Sequence, residues 1–386
     1  MSAGSGLGRG ETDAAAIDAA LEAMASCGGA HADLALVFLA GDASARAHQI
    51  LHAVRRITGA RAVIGCSGAG VLTEKSEVEG DPAVAVLAID DDRLVATPFL
   101  IEDQASRHAL GLDVAQRVEA TVAEGGCLIV LPDARGLDPR VLLGGLQEAV
   151  GFVPVVGAVA AGEPLFEMFN TDAVVGGLAG LAVAGRQPLI AVAQGCTPIG
   201  DPYVITRAEE HVIHEIGSRP AVTVLREAIM TVPDAQERIP RAGLFAGLAM
   251  DPSKSPLERG DFLIRNLAGM DPASGAIAVG ERVQVGQTIQ FQLRDAQASR
   301  EDLRSALADL ARRLDGRRPA FGCYFDCAGR GQGLFGLPDH DVTMIRAELG
   351  EFPLVGFFGN GEFAPVGRRN FFHTYTGALV VFPSAD

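Results

Sequence analysis

The 386-residue chain has no tryptophan, three tyrosines and 5% aromatic residues in all. Surfaces that stack on nucleic-acid bases are built from aromatic side chains, so that class of binding is argued against and the cores must be aliphatic. Positive charge is also short, with 32 Lys and Arg against 48 Asp and Glu and a net charge of −16. A phosphate-backbone partner calls for a basic face, so no nucleic acid is expected. An acidic chain also keeps off anionic membranes. No apolar run of about 18 residues occurs, so no membrane insertion is expected. The opening MSAGSGLGRGETD lacks the apolar segment of a signal peptide, and residues 1–30 are expected to be a frayed tail and a helix. A disulfide framework is missing too. The six cysteines (Cys27, Cys66, Cys127, Cys196, Cys323, Cys327) are scattered, whereas bridged scaffolds are short and secreted. They read as reduced, mostly buried thiols, which places the protein in the cytoplasm.

What the chain does have is apolar material for more than one core, at 48% hydrophobic and 21% charged residues. Its length suits two domains. It also repeats itself. Segments beginning at Ile64, Val156 and Val355 each carry Gly, four residues, then Gly: Gly65 and Gly70, Gly157 and Gly162, Gly356 and Gly361. Each then runs through a polar segment into a second apolar strand. Upstream of each lies a strand, a polar turn and a helix. In the first, Ala47, Ile50, Leu51, Val54 and Ile57 share one helical face; in the third, Val342, Ile345 and Leu349 do, with Gly350 as the stop. The unit therefore reads strand, helix, strand, Gly turn, strand, three times at uneven spacing, as duplication and fusion would leave it.

Between the second and third units, about Leu189 to Asp315, the pattern differs. YVIT and HVIHEI alternate like strands and PAVTVLREAIM reads as a helix. Ser299 followed by Asp302 nearly matches a capping box opening a helix through Leu303, Leu307, Leu310 and Leu314. The expected fold class is α/β, with two domains of mixed sheets and outer helices built from the repeated units. The expected division is 1–30 tail and helix, 31–187 first domain, 188–386 second domain.

The order GCSGAG, GQTIQFQLRD, FDCAGRGQGLFG, PLVGFFGNGEFAP, FHTYTGALVVF resembles the FIST family, a paired N-terminal and C-terminal sensory module of bacterial signal transduction. VITRAEEHVIHEIGSRPA and LIRNLAGMDPASGAIAVGERVQVGQTIQF fit its C-terminal module, and the resemblance spans roughly Ala32 to Phe382. It implies a non-enzymatic sensor of a small ligand, an amino acid or derivative. The chain reads as the module alone, so output is expected through a signalling partner such as a histidine kinase or cyclase. The family also implies an alternative, since some stand-alone members bind haem and sense nitric oxide.

FDCAGRGQG sets Cys327 and Arg330 among Gly329, Gly331 and Gly333. Successive N–H groups in such a turn can form an anion-binding nest, and Arg adds a fork suited to a carboxylate. A flexible turn with a surface arginine is the alternative. Glu362, beside Gly361 in GNGE, is the candidate for a ligand ammonium, with Arg330 taking the other end; otherwise it makes a surface ion pair with Arg368 or Arg369. Its acid has a counterpart at Glu163 and none at Val71. Arg265 and Asn266 are polar residues in an apolar run and need partners if buried, so they belong to a site or to a structural network. Cys66 is a ligand contact, a buried apolar residue, or the nucleophile of a cysteine-dependent hydrolase; Ala69 breaks the G-x-S-x-G elbow. Cys323 and Cys327 lack a second pair for zinc, and no metal is expected. Haem needs only an axial ligand, and His373 is the residue to test. The expected cofactor is none, with haem as the alternative. The FDCAGRG and GNGE turns are expected to converge, roofed by GCSGAG.

Overall fold

LALVFLA and AVIGCSG form neighbouring parallel strands, Leu34–Ala40 and Ala62–Gly68, joined by the helix Ala47–Thr58. A strand buried on both faces needs such an unbroken apolar run, and Leu34–Ala40 is buried at every position. The helix turns Ile50, Leu51 and Val54 inward and stops at the left-handed Gly59. Cys127–Pro132 and Val155–Ala158 repeat the arrangement around the helix Pro139–Val150, which Asp138 caps. Pro319–Cys327 and Leu354–Gly359 repeat it around His340–Leu349. This is a computed structural model, and it describes residues 2–384 except 11–12, 108, 124 and 240–242.

The three expected units are present, and the first Gly of each has one duty. Gly65, Gly157 and Gly356 pair with Val37, Val130 and Tyr324, and a Cβ at any of them would overlap that partner's carbonyl oxygen. Only glycine permits that approach.

The repeat is longer than the sequence pattern suggests. Each copy opens with an edge strand and a further helix: Ser2–Arg9 with Asp13–Cys27, Val95–Ile101 with Leu110–Val122, and Leu189–Ala193 with Ala296–Leu314. Each closes with a return strand, Ala83–Asp90, Leu178–Ala184 or Gly377–Pro383. The expected N-terminal tail is thus a strand, paired from Ser2↔Asp90 to Arg9↔Ala83. Its alternating glycines are packing residues. A Cβ at Gly4, Gly6 or Gly8 would overlap the carbonyls of Ala23, Ala19 or Ala15 on the helix beside it.

The three copies also exchange hairpins in a circle. The first copy's hairpin, Gly70–Thr73 with Glu77–Glu79, joins the third copy's sheet beside Leu354–Gly359. The third copy's, Glu362–Val366 with Arg369–His373, joins the second beside Val155–Ala158. The second copy's, Glu167–Phe169 with Asp172–Val174, joins the first beside Ala62–Gly68. Three six-stranded sheets result, all in the order edge, return, leading, second, hairpin. Their inner faces share one core in which Phe38, Phe325 and Phe357 meet at ring separations of 4.8–6.5 Å. Helices cover the outer faces, and the exchanged Met168 and Phe363 pack under them.

Compactness separates Met1–Val192 with Arg304–Asp386 from Ala193–Leu303. The second unit interrupts the third copy, running from Ala193 at the end of its edge strand to Leu303 within its first helix. It is a seven-stranded antiparallel sheet carrying the helix Ala221–Met230. Ser299 and Asp302 make no capping box there. The helix begins at Ala296, with Asp295 accepting the Ala298 N–H at 2.8 Å. Ser299 instead donates to the Gly195 carbonyl at 3.3 Å, and Asp302 accepts the N–H groups of Gln194 and Gly195 at 2.5 and 2.9 Å. No helix among the described residues is long and apolar enough to cross a membrane.

Candidate functional site

The leading strand of the third copy ends YFDC, and this is where charge enters the protein's interior. Arg330 Nε lies 2.9 Å from Asp326 Oδ1, and Nη2 lies 2.8 Å from Asp341 Oδ2. Tyr324 donates its hydroxyl to Asp341 Oδ2 at 2.7 Å, and His340 Nδ1 lies 2.6 Å from Asp341 Oδ1. The His340 ring stacks on Phe335 at 3.5 Å, with the guanidinium of Arg330 5.4 Å from the Phe335 centroid. Arg330 is 1% exposed, so the surface-arginine alternative does not hold.

The glycine turn after Cys327 already faces a carboxyl group of the chain itself. Glu79, from the first copy's hairpin, accepts the Gln332 N–H at 2.8 Å, and a Cβ at Gly331 (φ +64°) would overlap its carboxylate. The same hairpin places Glu77, whose Oε1 accepts the Val342 N–H at 2.9 Å, while Asp339 accepts the Glu77 N–H at 2.6 Å. The nest is therefore filled by the chain itself, through the hairpin exchange.

Glu362 opens the third copy's hairpin, at 0% exposure. Its Oε2 accepts the Thr376 N–H at 3.2 Å, and the Cys327 thiol and Gly361 N–H face the same carboxylate. Burial pushes its pKa up to about 8 against the pull of these donors and of Arg330. Burial, with Asp341 adding to it, likewise pushes Glu77 up to about 8. Asp326 is driven well above its ordinary range by burial and by Asp341, whereas Arg330 overcomes the burial of Asp341 and holds it at about 2. The ion pair these surroundings favour is thus Arg330 with Asp341, while burial disfavours charge on Asp326, Glu77 and Glu362.

Four atoms of this cluster lack a hydrogen-bond partner: Arg330 Nη1, Asp326 Oδ2, Glu77 Oε2 and Glu362 Oε1. Buried polar atoms are nearly always paired, so four together make this cluster the candidate site.

The structure gathers Cys327, Arg330 and Glu362, with Gly331 and Gly361 flanking them. Arg368 and Arg369 make no ion pair with the buried Glu362; they lie over Phe152 and Phe371 at 5.4 and 5.3 Å. Cys66 belongs elsewhere, buried opposite Glu167. Burial and Glu167 push its thiol well above the ordinary value, the reverse of what a thiolate nucleophile needs. Arg265 and Asn266 lie in the inserted unit. Arg265 is buried against Glu281 and the Ile264 carbonyl, and Asn266 is exposed, so the structural-network reading fits Arg265. His373 is 1% exposed, and its Nε2 lies 3.1 Å from the Ala364 carbonyl. Among the described residues no group of three or more His, Cys, Asp or Glu side chains could hold a metal.

Asp326, Tyr324, His340, Asp341, Glu77 and Glu79 were not singled out from sequence. The acids of EKSEVE and PDHDV were the available signal, but their meeting depends on the hairpin exchange. Register also corrects one correspondence. Glu362 pairs with Ala158, next to Phe363↔Gly157; the same place in the second copy is Glu167, paired with Cys66 next to Met168↔Gly65, rather than Glu163. In the first copy it is Val71.

A family model for the FIST N domain matches residues 33–219, and one for the FIST C domain matches residues 221–365. An uncharacterized protein of Mycobacterium tuberculosis is 36% identical over 375 residues, covering 95% of this chain and 96% of the relative. An uncharacterized protein of Mycobacterium bovis is 33% identical over 374 residues, covering 95% of each.

Proposed function

The chain belongs to the FIST family, sensory domains of signal transduction that bind small ligands, and we propose that its own ligand is an amino acid or close derivative held at the Arg330–Glu362 cluster. One observation carries this reading: a single unpartnered cationic donor, Arg330 Nη1, is grouped with unpartnered acid oxygens of Asp326, Glu77 and Glu362. That set is complementary to a zwitterion, with the ligand carboxylate on Arg330 and the ammonium on Glu362 and Asp326. The role is sensing rather than catalysis, and it is exercised in the cytoplasm.

The cluster joins the third copy's loop, its hairpin and the first copy's hairpin. A ligand that bridges them favours one arrangement of these pieces by its differential affinity. A signalling partner such as a histidine kinase or cyclase then reads that arrangement. The test is a thermal-shift screen of the full chain against the α-amino acids, repeated with Glu362→Gln. A shift for one or a few amino acids that vanishes in the variant supports the reading. No shift for any zwitterion sinks it and leaves the four polar atoms to water.

A further inference from the structure

The circular exchange gives each sheet one position like that of Glu362, and the second copy fills its own with an acid. Glu167 is 0% exposed, and its Oε2 accepts the Gly177 N–H at 2.9 Å, just as Glu362 Oε2 accepts the Thr376 N–H at 3.2 Å. Gly177 and Thr376 are equivalent in turn. Each precedes a return-strand residue paired with Pro132 or Asp326, and their carbonyls accept the N–H groups of Asp133 and Cys327 at 2.9 and 3.1 Å.

The surroundings differ in what is left over. Asp133, where the third copy has Cys327, is 0% exposed, and its carboxylate is taken by the Arg135 guanidinium at 2.5 Å, the Arg135 N–H at 2.7 Å and the Gly176 N–H at 2.9 Å. Gln104, 1% exposed, spends its Nε2 on the carbonyls of Asp133 and Arg135, and its backbone N–H on the Gly176 carbonyl at 3.0 Å. That fixes which end of the amide is the oxygen. Two atoms remain unpartnered here, Glu167 Oε1 and Gln104 Oε1, and both belong to side chains closed off from water.

We propose that Glu167 and Gln104 form a second small-molecule site, selective for a primary ammonium group without a carboxylate. Once Glu167 is ionised both open positions accept hydrogen bonds, as an ammonium requires, and the nearby Arg135 spends its Nε and Nη2 on Asp133. This sets the site apart from the Arg330 cluster, where donor and acceptors coexist, and it stands whether or not that cluster binds zwitterions. The third equivalent position, Val71 facing Val78, is apolar and serves as an internal blank.

The experiment is calorimetric titration of the full chain with methylammonium, alone and with a saturating α-amino acid, in wild type, Glu167→Gln and Glu362→Gln. Saturable methylammonium binding by the wild type, weakened at least tenfold by Glu167→Gln and kept by Glu362→Gln, is expected. Circular dichroism checks that each variant is folded. Absence of saturable binding in the wild type, equal affinity in Glu167→Gln, or loss confined to Glu362→Gln each overturns the proposal. Should Glu167→Gln not fold, the wild type still decides: methylammonium must bind beside the saturating amino acid, or alone if none binds. Failure of α-amino acids to bind anywhere overturns the zwitterion reading and leaves this result standing.

Discussion

Replacing Glu167 by Gln should alter how stability depends on pH, and the direction follows from its surroundings. Burial, with Asp133 adding to it, pushes the Glu167 pKa up to about 9 from 4.5. Between those values the folded chain keeps a proton that the unfolded chain has lost. Its contribution is therefore complete below about pH 4.5 and is lost progressively as pH rises through about 9, at about 1.4 kcal/mol per pH unit. A glutamine of nearly the same shape can still accept the Gly177 N–H and does not titrate. The stability of Glu167→Gln relative to wild type should thus rise by roughly 2–3 kcal/mol between pH 5.5 and 7.5. Urea denaturation at half-unit pH steps, in buffers free of amines, measures the gap. A gap constant to within about 0.5 kcal/mol would refute the reasoning, because it would mean that Glu167 titrates normally and is not enclosed as described.

Arg330→Ala should cost about 3–5 kcal/mol, since it strands the buried Asp341 carboxylate without its cation; an unchanged urea midpoint would contradict the burial of the Arg330–Asp341 pair. Gly356→Ala should destabilise by about 3 kcal/mol or more by driving a methyl into the Tyr324 carbonyl, whereas Gly333→Ala, with open space around it, should change the midpoint by less than about 1 kcal/mol. Equal effects of the two would refute the close-approach account of the repeated glycines. Cys66 should react with a thiol reagent far more slowly than a free thiol at pH 8, and Cys66→Ser should leave amino-acid binding intact; a fast reaction would revive the nucleophile.

The repeat could be read from sequence because its signals are local: apolar runs at strand length, helical faces such as Ile50, Leu51 and Val54, and one glycine per copy where backbones nearly touch. The edge strand Ser2–Arg9 was hidden because its glycines serve a helix lying against them, and alternating glycine looks like flexibility when that helix is unseen. Ser299 and Asp302 matched a cap by spacing, but their partners came from Gln194 and Gly195, over 100 residues away. The site was legible to the same extent. Cys327, Arg330 and Glu362 stood out as charge or thiol among glycines. Glu77, Glu79 and Asp341 did not, because which hairpin joins which sheet is decided by packing of residues such as Met168, Phe363 and Leu72 that carry no local mark of their destination. For the same reason Glu163 looked like the partner of Glu362 by spacing, while the strand register selects Glu167.

A ligand ammonium can pair with Glu362 only if the carboxyl, protonated at pH 7, releases its proton to the solvent as the ligand binds. Calorimetry of the wild type with the amino acid found by the screen, at pH 7 in two buffers of different ionisation enthalpy, counts that proton. With Glu362 near pKa 8, about 0.9 proton should be released per ligand bound, and Glu362→Gln should bind at least tenfold more weakly with no release. Binding without proton release, or undiminished in Glu362→Gln, would contradict the account.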